Sequence, residues 1–377
     1  MVCRTKAFNK EIFLTSVGAG LWEDCETVSG ERLAVSWAEV LRLAEEQSVL
    51  GLVAAGVEKL TAYCLPLTEK LTLLGKCQLI EQRNEAMNRF IAELIARVNK
   101  NGIYALLVKG QGIAQCYEKP LWRSAGDVDL LLDEDNYNKA KALLAPLSEE
   151  SVSEEVAKRH LSIQLSGFTI ELHGRMPFAL SRRTDKVIDE VIADSLLGIG
   201  GKHSSVRVWK NGNTNVYLPN ADNDVILVFT HYLHHFFIEG VGLKQICDWC
   251  RLLWTYRSEI DVNLLENRLK EAGLMSEWKA FASLAVNHLG MLKEAMPFYD
   301  KRYRRRGEMV LSHVLKSGNL GHNNNQRYRS KHSKPMADTI TFFRRIGDFA
   351  KFTFIFPIDS PKFFITYVFG KFKKNAV

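Results

Sequence analysis

The sequence predicts an α+β protein with a mixed β-sheet core, flanking helices, and helical regions on the N-terminal and C-terminal sides of that core. Apolar residues recur at helical spacing through residues 1–100. Short apolar runs bounded by Gly and Asn turns, typical of strands and hairpins, follow through residues 101–219. Helical spacing then returns through residues 220–300. We therefore expect a helical N-terminal region, an α/β core, a helical domain, and a basic aromatic tail over residues 301–377.

In the N-terminal region the helical pattern is clearest in two segments. The spacing predicts one helix from Trp37 to Leu50 and a longer one from Leu71 to Val98, which contains few helix breakers. The core then begins with Ile103–Val108, an apolar run that predicts a buried strand. A second strand is expected over residues 127–133, followed by a helix from Tyr137 to Leu147.

Two hairpins complete the predicted core. The first joins His160–Leu165 to Phe168–His173 through a Ser166-Gly167 turn, and the second spans residues 206–218 with Asn211-Gly212 at its turn. Beyond the core, long apolar-periodic runs predict helices. These are residues 220–237, 243–256 and 264–289. The polar stretch from Lys316 to Pro335 predicts a flexible loop.

The charge of the 377-residue chain is segregated. Residues 301–377 contain 17 Lys and Arg against 4 Asp and Glu, a net charge of +13, whereas the rest of the chain is mildly acidic at −6. Phe residues lie between the basic residues of this tail. Such a segment can lie on an anionic membrane surface or follow a nucleic-acid backbone, and a solvated face over an ordinary aromatic core is the plainer alternative. We favour the membrane surface over nucleic acid, because aromatic residues outnumber the polar residues that would read bases.

The seven Cys residues are sparse and follow no framework spacing, which is typical of a reduced, intracellular chain. The first ten residues lack the apolar segment of a secretory signal. No run of about 18 apolar residues predicts a membrane-spanning helix. We therefore expect a cytoplasmic protein, with peripheral contact of the tail at the inner membrane surface.

The strongest chemical signal is a pair of carboxylates, Asp127 and Asp129, at alternate positions of a predicted strand. Alternate residues of a strand share a face, so the two carboxylates repel each other unless a cation lies between them. Glu171 on a later predicted strand offers a third carboxylate. Hard oxygen ligands of this kind suit Mg²⁺ or Mn²⁺. The three residues are therefore candidate metal ligands for a phosphoryl transfer.

A glycine turn precedes these carboxylates. Lys109, Gly110 and Gln111 stand where a predicted strand passes into a predicted helix. The glycine allows a ligand to approach the backbone closely, and Lys109 adds a positive charge for a phosphate. Alone, such a turn is a weak indication of phosphate binding. It gains weight because the paired Asp residues and Glu171 follow it in this order.

Together these residues resemble a known family. The resemblance lies in Leu107-Val-Lys109-Gly110, in Arg123 followed by Gly126-Asp127-Val-Asp129 and three Leu, in Ile170-Glu171-Leu172-His173, and in the downstream segment from Asp224 through His231, His235, Gly240 and Leu243 to Asp248. The pattern is similar to that of the nucleotidyltransferases of the polymerase-beta superfamily, and more narrowly to a bacterial branch of it. The resemblance covers roughly residues 35–260 and does not explain the basic tail.

The resemblance implies a minimal nucleotidyltransferase fold and transfer of a nucleoside monophosphate from an NTP to an acceptor hydroxyl. Asp127 and Asp129 would be metal ligands, with Mg²⁺ or Mn²⁺ as cofactor. Glu171 would be the third carboxylate, which in related enzymes can act on the attacking hydroxyl. Gly110 would hold the triphosphate through its backbone. Gln111 follows Gly110 where the superfamily usually has Ser, so the phosphate contact of that serine is either taken over by Lys109 or lost.

Several neighbouring residues have two interpretations each. Arg123 can bind a phosphate oxygen or form an ion pair with Asp127. Arg159 and His160 can contact nucleotide phosphate or form a surface pair. His173 shares the face of Glu171, as a donor to a carboxylate or as an ordinary histidine of the sheet.

Two further motifs suggest metal binding only weakly. His231, His234 and His235 lie on a predicted helix, but no glutamate follows His231 as it would in a zinc protease. We expect them to line a substrate pocket instead. Cys247 and Cys250 form a lone Cys-x-x-Cys pair inside a helical run, and neither a redox nor a zinc role is favoured.

The predicted function is a metal-dependent nucleotidyltransferase. Its expected partners are an NTP and an unidentified acceptor, most simply a small molecule, sugar or glycan precursor of polysaccharide or secondary-metabolite biosynthesis. Two alternatives stay open. One is a catalytically silent protein that binds nucleotide or a partner as a regulator. The other is a toxin-type enzyme that modifies RNA or protein.

Overall fold

The computed structural model describes residues 2–23, 35–60, 65–176, 178, 180–197, 206–321 and 333–374. The strands in this part of the chain are β1 (Leu106–Val108), β2 (Val128–Leu131), β3 (Ser153–Glu155), β4 (His160–Leu165), β5 (Phe168–His173), β6 (Arg207–Asn211) and β7 (Thr214–Leu218). The helices are α1 (Val2–Leu21), α2 (Trp37–Glu46), α3 (Leu50–Lys59), α4 (Leu67–Lys100), α5 (Gly110–Ala114), α6 (Glu134–Leu144), α7 (Arg182–Leu197), α8 (Ala221–Ile238), α9 (Leu243–Thr255), α10 (Val262–Ala272), α11 (Met275–His288), α12 (Arg304–Ser317), α13 (Lys334–Ile355) and α14 (Asp359–Lys374). The predicted α+β class is confirmed.

The N-terminal region is helical, as predicted, but one helix ends early. The segment expected to be continuous from Trp37 to Leu50 ends as α2 at Glu46, and α3 begins at Leu50. Between them Ser48 adopts a left-handed backbone with φ of 55°. This conformation is unfavourable for a residue with a side chain and interrupts the helix. The long helix α4 extends beyond both predicted ends, and its C-terminal half buries Phe90, Ile91 and Leu94 in the core of the sheet.

The central sheet has five strands in the order β1-β2-β5-β4-β3. β2 and β5 are parallel, and the other neighbours are antiparallel. The predicted hairpin of β4 and β5 is confirmed, with positive φ at both Ser166 and Gly167 in its turn. In the parallel pair Asp129 lies opposite Glu171. The edge strand β3 and the helix α7 were not predicted, because β3 has only three residues and α7 follows the sheet without a distinct pattern change.

The second predicted hairpin forms β6 and β7, with Gly212 at positive φ in its turn. It is a separate two-stranded sheet instead of an extension of the five-stranded one. Val216 and Leu218 of β7 are buried in the same core as α4 and the main sheet. The hairpin therefore covers that core from outside the sheet.

Residues 220–300 are mainly helical, as predicted. Asn220 caps α8, because its side chain accepts a hydrogen bond from the amide of Asn223. The run expected from residues 264 to 289 is divided into α10 and α11 at Gly273, whose φ of 73° ends α10 in a left-handed cap. Aromatic rings form the centre of this region. They include Phe229, Tyr232, Trp249, Trp278 and Phe281, all fully buried.

The C-terminal tail forms the helices α13 and α14. Phe349, Phe352, Phe356 and Phe363 are buried there, and they contact Phe236 or Phe237 of α8. Other apolar residues of this segment are exposed, among them Phe343, Phe354, Ile358 and Ile365. The apolar residues of this segment are thus divided between the protein core and the surface.

The polar loop predicted over Lys316–Pro335 falls partly on residues 322–332, which lie outside the described residues, as do Arg327, Arg329 and Lys331. Lys316 and Ser317 end α12 instead of belonging to a loop. Among the described helices, none is both apolar and long enough to cross a bilayer.

Candidate functional site

A cleft of about 790 Å³ lies between the sheet and the helices α8 and α9. One side carries the residues of the glycine turn, the segment leading into β2, and the ends of β4 and β5. The opposite side carries the three histidines of α8 and the first residues of α9. A cleft of this volume is in the range that encloses small-molecule ligands.

The sheet brings the three predicted carboxylates together. Asp127 immediately precedes β2, Asp129 lies within it, and Glu171 lies opposite Asp129 on β5. One oxygen from each side chain lies within 4.8 Å of the other two. Both Asp129 and Glu171 point to the same face of the sheet because register partners do so. The donor set consists only of carboxylate oxygens, which fits a hard divalent cation such as Mg²⁺ or Mn²⁺.

Asp129, which is only 2% exposed, is paired with Lys109 and contacts the ring of His173. The ammonium Nζ of Lys109 and the ring Nε2 of His173 each lie 2.8 Å from its Oδ1. Burial alone would raise the pKa of Asp129, but Lys109 and His173 outweigh it and hold that pKa below its usual range. The same contacts raise the pKa of Lys109 and of His173, although burial acts in the opposite direction on both. Asp129 is therefore ionised inside the cleft.

Asp127 differs from Asp129 in its charged contacts. No Lys, Arg or His nitrogen of the described residues lies within ion-pair distance of its carboxylate. The negative charge of Asp129, followed by burial, raises the pKa of Asp127. Asp127 thus lies beside an ionised carboxylate and lacks an ion-pair partner among the described residues. A cation bound here would relieve the repulsion between the two carboxylates.

Glu171 is flanked by two histidines. The ring Nε2 atoms of His160 and His173 each lie 3.4 Å from its Oε2, and the two rings are stacked with centroids 4.8 Å apart. Burial alone would raise the pKa of Glu171, but His160 and His173 hold it far below its usual range. Arg159, predicted beside His160, instead pairs with Glu134 at a distance of 2.6 Å outside the cleft lining.

The glycine turn lies where predicted. Lys109 has φ of 59° and ψ of −147°, and Gly110 has φ of 45°. A Cβ atom at Gly110 would lie 3.4 Å from the carbonyl oxygen of Asp127, so the backbone of the turn approaches the carboxylate segment closely. Lys109 and Gly110 both line the cleft.

Gln111 does not line the cleft. Its side-chain amide donates to Oδ1 of Asn84 at 3.1 Å, and the amide of Asn84 donates to the carbonyl oxygens of Leu121 and Arg123 at 2.7 Å each. Gln111 therefore supports the segment that leads to Asp127. A contact between Gln111 and a nucleotide stays a prediction that this buried position does not favour.

Arg123 forms its ion pair with Asp248 of α9. Its Nε and Nη2 donate to the two oxygens of Asp248 at 2.7 and 2.8 Å, and the hydroxyl of Tyr117 donates to the same carboxylate at 2.7 Å. The predicted alternative pair with Asp127 is therefore not formed. Arg123 nonetheless lines the cleft, and its Nη1 has no hydrogen-bond partner among the described residues.

The histidines of α8 line the cleft, as predicted. The Nε2 atom of His231 lies 3.1 Å from Nζ of Lys109 and 3.2 Å from Nε2 of His235. Burial, with a smaller effect of Lys109, lowers the pKa of His231 well below its usual value. A neutral His231 can accept a hydrogen bond from the Lys109 ammonium. Cys247 and Cys250 are free thiols buried in the helical core, away from the cleft lining.

Sequence reasoning missed two residues of α9, Lys244 and Gln245, that line the cleft opposite the carboxylates. Lys244 stands in the first turn of α9. A lysine there is electrostatically unfavourable next to the positive end of the helix dipole. A positive charge in the first turn can be recognised from the sequence once the start of α9 is known.

Comparisons with known proteins agree with this geometry. The family model described as "Uncharacterised nucleotidyltransferase" matches residues 34–290, about two thirds of the chain. The match spans the glycine turn, the carboxylates, and the helices α8 and α9. Neither the curated proteins nor the solved structures include a significant match. The chain belongs to the family of uncharacterised nucleotidyltransferases.

Proposed function

We propose that this protein is a metal-dependent nucleotidyltransferase that transfers a nucleoside monophosphate from an NTP to a hydroxyl group of a small-molecule acceptor, such as a sugar or glycan precursor. The observation that carries the proposal is the convergence of Asp127, Asp129 and Glu171 within one cleft. No cation of the described residues lies within ion-pair distance of Asp127, and Lys109 lies beside Asp129. The family match supports the same reaction class.

In this reaction the acceptor oxygen forms a bond to the α-phosphorus, and the bond between that phosphorus and the pyrophosphate oxygen breaks. Pyrophosphate leaves with the electron pair of the broken bond. Asp127, Asp129 and Glu171 would hold Mg²⁺ or Mn²⁺, which supplies positive charge to phosphate oxygens when bound. Lys109 adds a further positive charge at the same end of the cleft.

Glu171 is best suited to bind and orient the acceptor hydroxyl. Because His160 and His173 hold its pKa far below the usual range, its carboxylate is ionised throughout the neutral region. An ionised carboxylate accepts a hydrogen bond from a hydroxyl and directs its oxygen, but so weak a base retains a proton poorly. The hydroxyl proton is therefore released to solvent through the open cleft.

A small acceptor is favoured by the shape of the site. The cleft is of small-ligand size, and its wall opposite the carboxylates contains Phe178 and the α8 histidines. The excess of positive charge lies in the C-terminal tail, in residues 301–377, instead of around the cleft. Such a distribution does not favour a nucleic-acid backbone as the acceptor.

A screen for pyrophosphate release over the four NTPs and a panel of sugars, sugar phosphates and RNA tests the proposal. The wild-type chain should release pyrophosphate with at least one pair, and Asp129→Asn should abolish release. Asp135→Asn is the matched control, because Asp135 is exposed and outside the cleft. NTP binding without release over the whole panel would favour a silent, regulatory protein. Release with RNA alone would favour the toxin-type alternative.

The tail supports a second, separate proposal, peripheral contact with an anionic membrane. Exposed Phe343, Phe354, Ile358 and Ile365 stand in a segment of net charge +13. Apolar side chains among cations are typical of helices that lie on anionic bilayers. Deleting the tail would also remove Phe352 and Phe356 from the core, so substitution of exposed residues is the cleaner test.

Co-sedimentation with vesicles tests this contact. The wild-type chain should sediment with vesicles that contain phosphatidylglycerol, and Phe354→Ser with Ile358→Ser should remain in the supernatant. Leu71→Ser on α4 is the matched control, since Leu71 is equally exposed outside the tail. Equal sedimentation of all three proteins would remove the membrane from the proposal.

A further inference from the structure

Among the described Lys and Arg residues that line the cleft, all but one form an ion pair. Lys109 pairs with Asp129, Arg123 with Asp248, and Arg175 with Asp189. Lys244 also lines the cleft, yet no carboxylate of the described residues lies within ion-pair distance of its ammonium.

The nearest candidate partner for Lys244 is already engaged. Asp248 stands one helical turn further along α9, on the same face as Lys244. Both oxygens of Asp248 accept hydrogen bonds from Arg123, and Tyr117 donates to one of them. Asp248 is therefore paired with Arg123. Lys244 has no ion pair among the described residues, and the charges of Asp248, Asp127 and Asp129 act on it only from beyond ion-pair distance.

Three features make this position costly for a cation. Lys244 stands in the first turn of α9, where the helix dipole repels positive charge. Arg123 is nearby, only 7% exposed, and carries a buried Nη1 without a hydrogen-bond partner. Burial, and then the charge of Arg123, lower the pKa of Lys244. An anion bound at the amine of Lys244 would offset these costs and favour its charged form.

The backbone of α9 does not supply that anion site. The amide of Leu243 donates to the side-chain oxygen of Gln47 at 3.0 Å, and the amide of Lys244 donates to the carbonyl oxygen of Gln47 at 3.3 Å. The first two amides of the helix are therefore satisfied within the protein. The ammonium of Lys244, near the charge of Arg123, offers a ligand a donor from this end of the helix.

The anion can be assigned from the arrangement of unpaired charges. Asp127 is an uncompensated carboxylate and Lys244 an uncompensated ammonium of the same cleft, and they lie beyond ion-pair distance of each other. We infer that Lys244 binds the polyphosphate of the NTP, at the end that leaves as pyrophosphate. The choice of NTP as the source of that anion rests on the proposed function.

Direct binding measurements on the full-length chain test this inference without any turnover. Sodium tripolyphosphate, adenosine and glucose 1-phosphate are titrated in the presence of EDTA, so that no divalent ion contributes. Lys244→Gln should weaken tripolyphosphate binding by roughly 10- to 100-fold, the range for one charged hydrogen bond. Its affinity for adenosine should not change. Lys244→Arg should restore most of the loss, and Lys186→Gln, at an exposed lysine of α7, should behave as wild type.

Thermal unfolding separates ligand binding from a structural role. Because Lys244→Gln removes an uncompensated charge, the ligand-free variant should unfold at the same temperature as the wild type or higher. A lower unfolding temperature together with equal losses for tripolyphosphate and adenosine would show that Lys244 is structural, and would overturn the inference.

Other outcomes are equally decisive. Unchanged tripolyphosphate binding by Lys244→Gln would overturn the inference, and a loss confined to glucose 1-phosphate would assign Lys244 to an acidic acceptor instead. Lys244-dependent binding of tripolyphosphate by a chain that never transfers a nucleotide would contradict only the proposed function. Nucleotide transfer by Lys244→Gln at the wild-type rate would contradict only the inference.

Discussion

The ammonium of Lys109 lies 2.8 Å from Oδ1 of Asp129, and both side chains are largely buried. Removing one partner of a buried ion pair leaves the other charge without compensation. Loss of Lys109 alone should therefore destabilise the metal-free fold, in addition to any role of Lys109 in binding phosphate.

Lys109→Met should lower the free energy of unfolding of the metal-free protein by about 3 kcal/mol, the usual cost of breaking a buried pair. Urea unfolding in EDTA measures this. Added Mg²⁺ should recover part of the loss, because a cation at the carboxylates replaces the missing charge. Lys119→Met, which breaks the exposed pair with Glu58, should cost less than about 1 kcal/mol. Equal losses in the two variants would contradict the buried pairing.

Asp127→Asn should have the opposite effect on stability. The pKa of Asp127 is higher in the folded protein than in the unfolded chain. The contribution of Asp127 to stability therefore falls as the pH rises from its unfolded pKa through its folded pKa. At neutral pH the metal-free variant should therefore unfold at an equal or higher temperature, by about 2 °C for each kcal/mol gained. The rise in unfolding temperature that Mg²⁺ gives the wild type should disappear. A full Mg²⁺ response in Asp127→Asn would exclude Asp127 as a ligand.

His173 should make the stability of the metal-free protein depend on pH. Asp129 and Glu171 raise its pKa above the ordinary value of 6.5, despite the opposing effect of burial. The stabilisation it contributes is thus fully present below pH 6.5 and is lost as pH rises through the folded pKa. Urea unfolding should show that the free energy of unfolding of the wild type falls as the pH rises above 6.5. This fall should be absent from His173→Gln.

The control for that profile is His288→Gln. Burial lowers the pKa of His288, so its titration affects stability only below the ordinary value of 6.5. Above pH 6.5 the profile of His288→Gln should run parallel to that of the wild type. A falling stability that persists in His173→Gln would assign the dependence to another group.

Two phenylalanines of α13, two positions apart, test the attachment of the tail. Phe352 is 1% exposed and contacts Phe236 and Phe237, whereas Phe354 is 78% exposed. Phe352→Ala should lower the free energy of unfolding by about 3–5 kcal/mol, and Phe354→Ala should change it by less than about 0.5 kcal/mol. Chemical denaturation of the full-length chain measures both. Similar small effects would mean that α13 does not stabilise the body of the protein.

The sequence was most informative about side chains whose orientation follows from strand alternation. Asp127 and Asp129 were predicted to share a face from strand alternation alone, and Glu171 was identified because it stands inside a recognisable hairpin. The structure places the three as predicted. Strand pairing explains the success, since two short segments with clear alternation suffice to determine which side chains face together.

Long-range pairing was not predictable in the same way. Arg123 and Asp248 are 125 positions apart, and nothing in either segment selects one partner for the other. Lys244 was missed for the same reason, because its lack of a partner depends on which carboxylates the fold brings near it. The break at Ser48 depends on a backbone conformation that a serine rarely adopts.

The tail was predicted only in part. Its interleaved Phe and basic residues suggested one surface function, but the structure divides the Phe residues between a buried face and an exposed one. Composition alone cannot separate these roles. Helical periodicity within the tail could have done so, because Phe349, Phe352, Phe356 and Phe363 recur at intervals of three, four and seven.

The uncompensated charges at Asp127 and Lys244 also bear on how this protein can evolve. Each is a position where a neutral residue should fold more readily than the native one. A population of variants sorted for resistance to heat should therefore accumulate replacements at these two sites first. On the proposed function, it should lose nucleotide transfer as it does so. Their retention in a working enzyme would be evidence of selection for turnover in every generation.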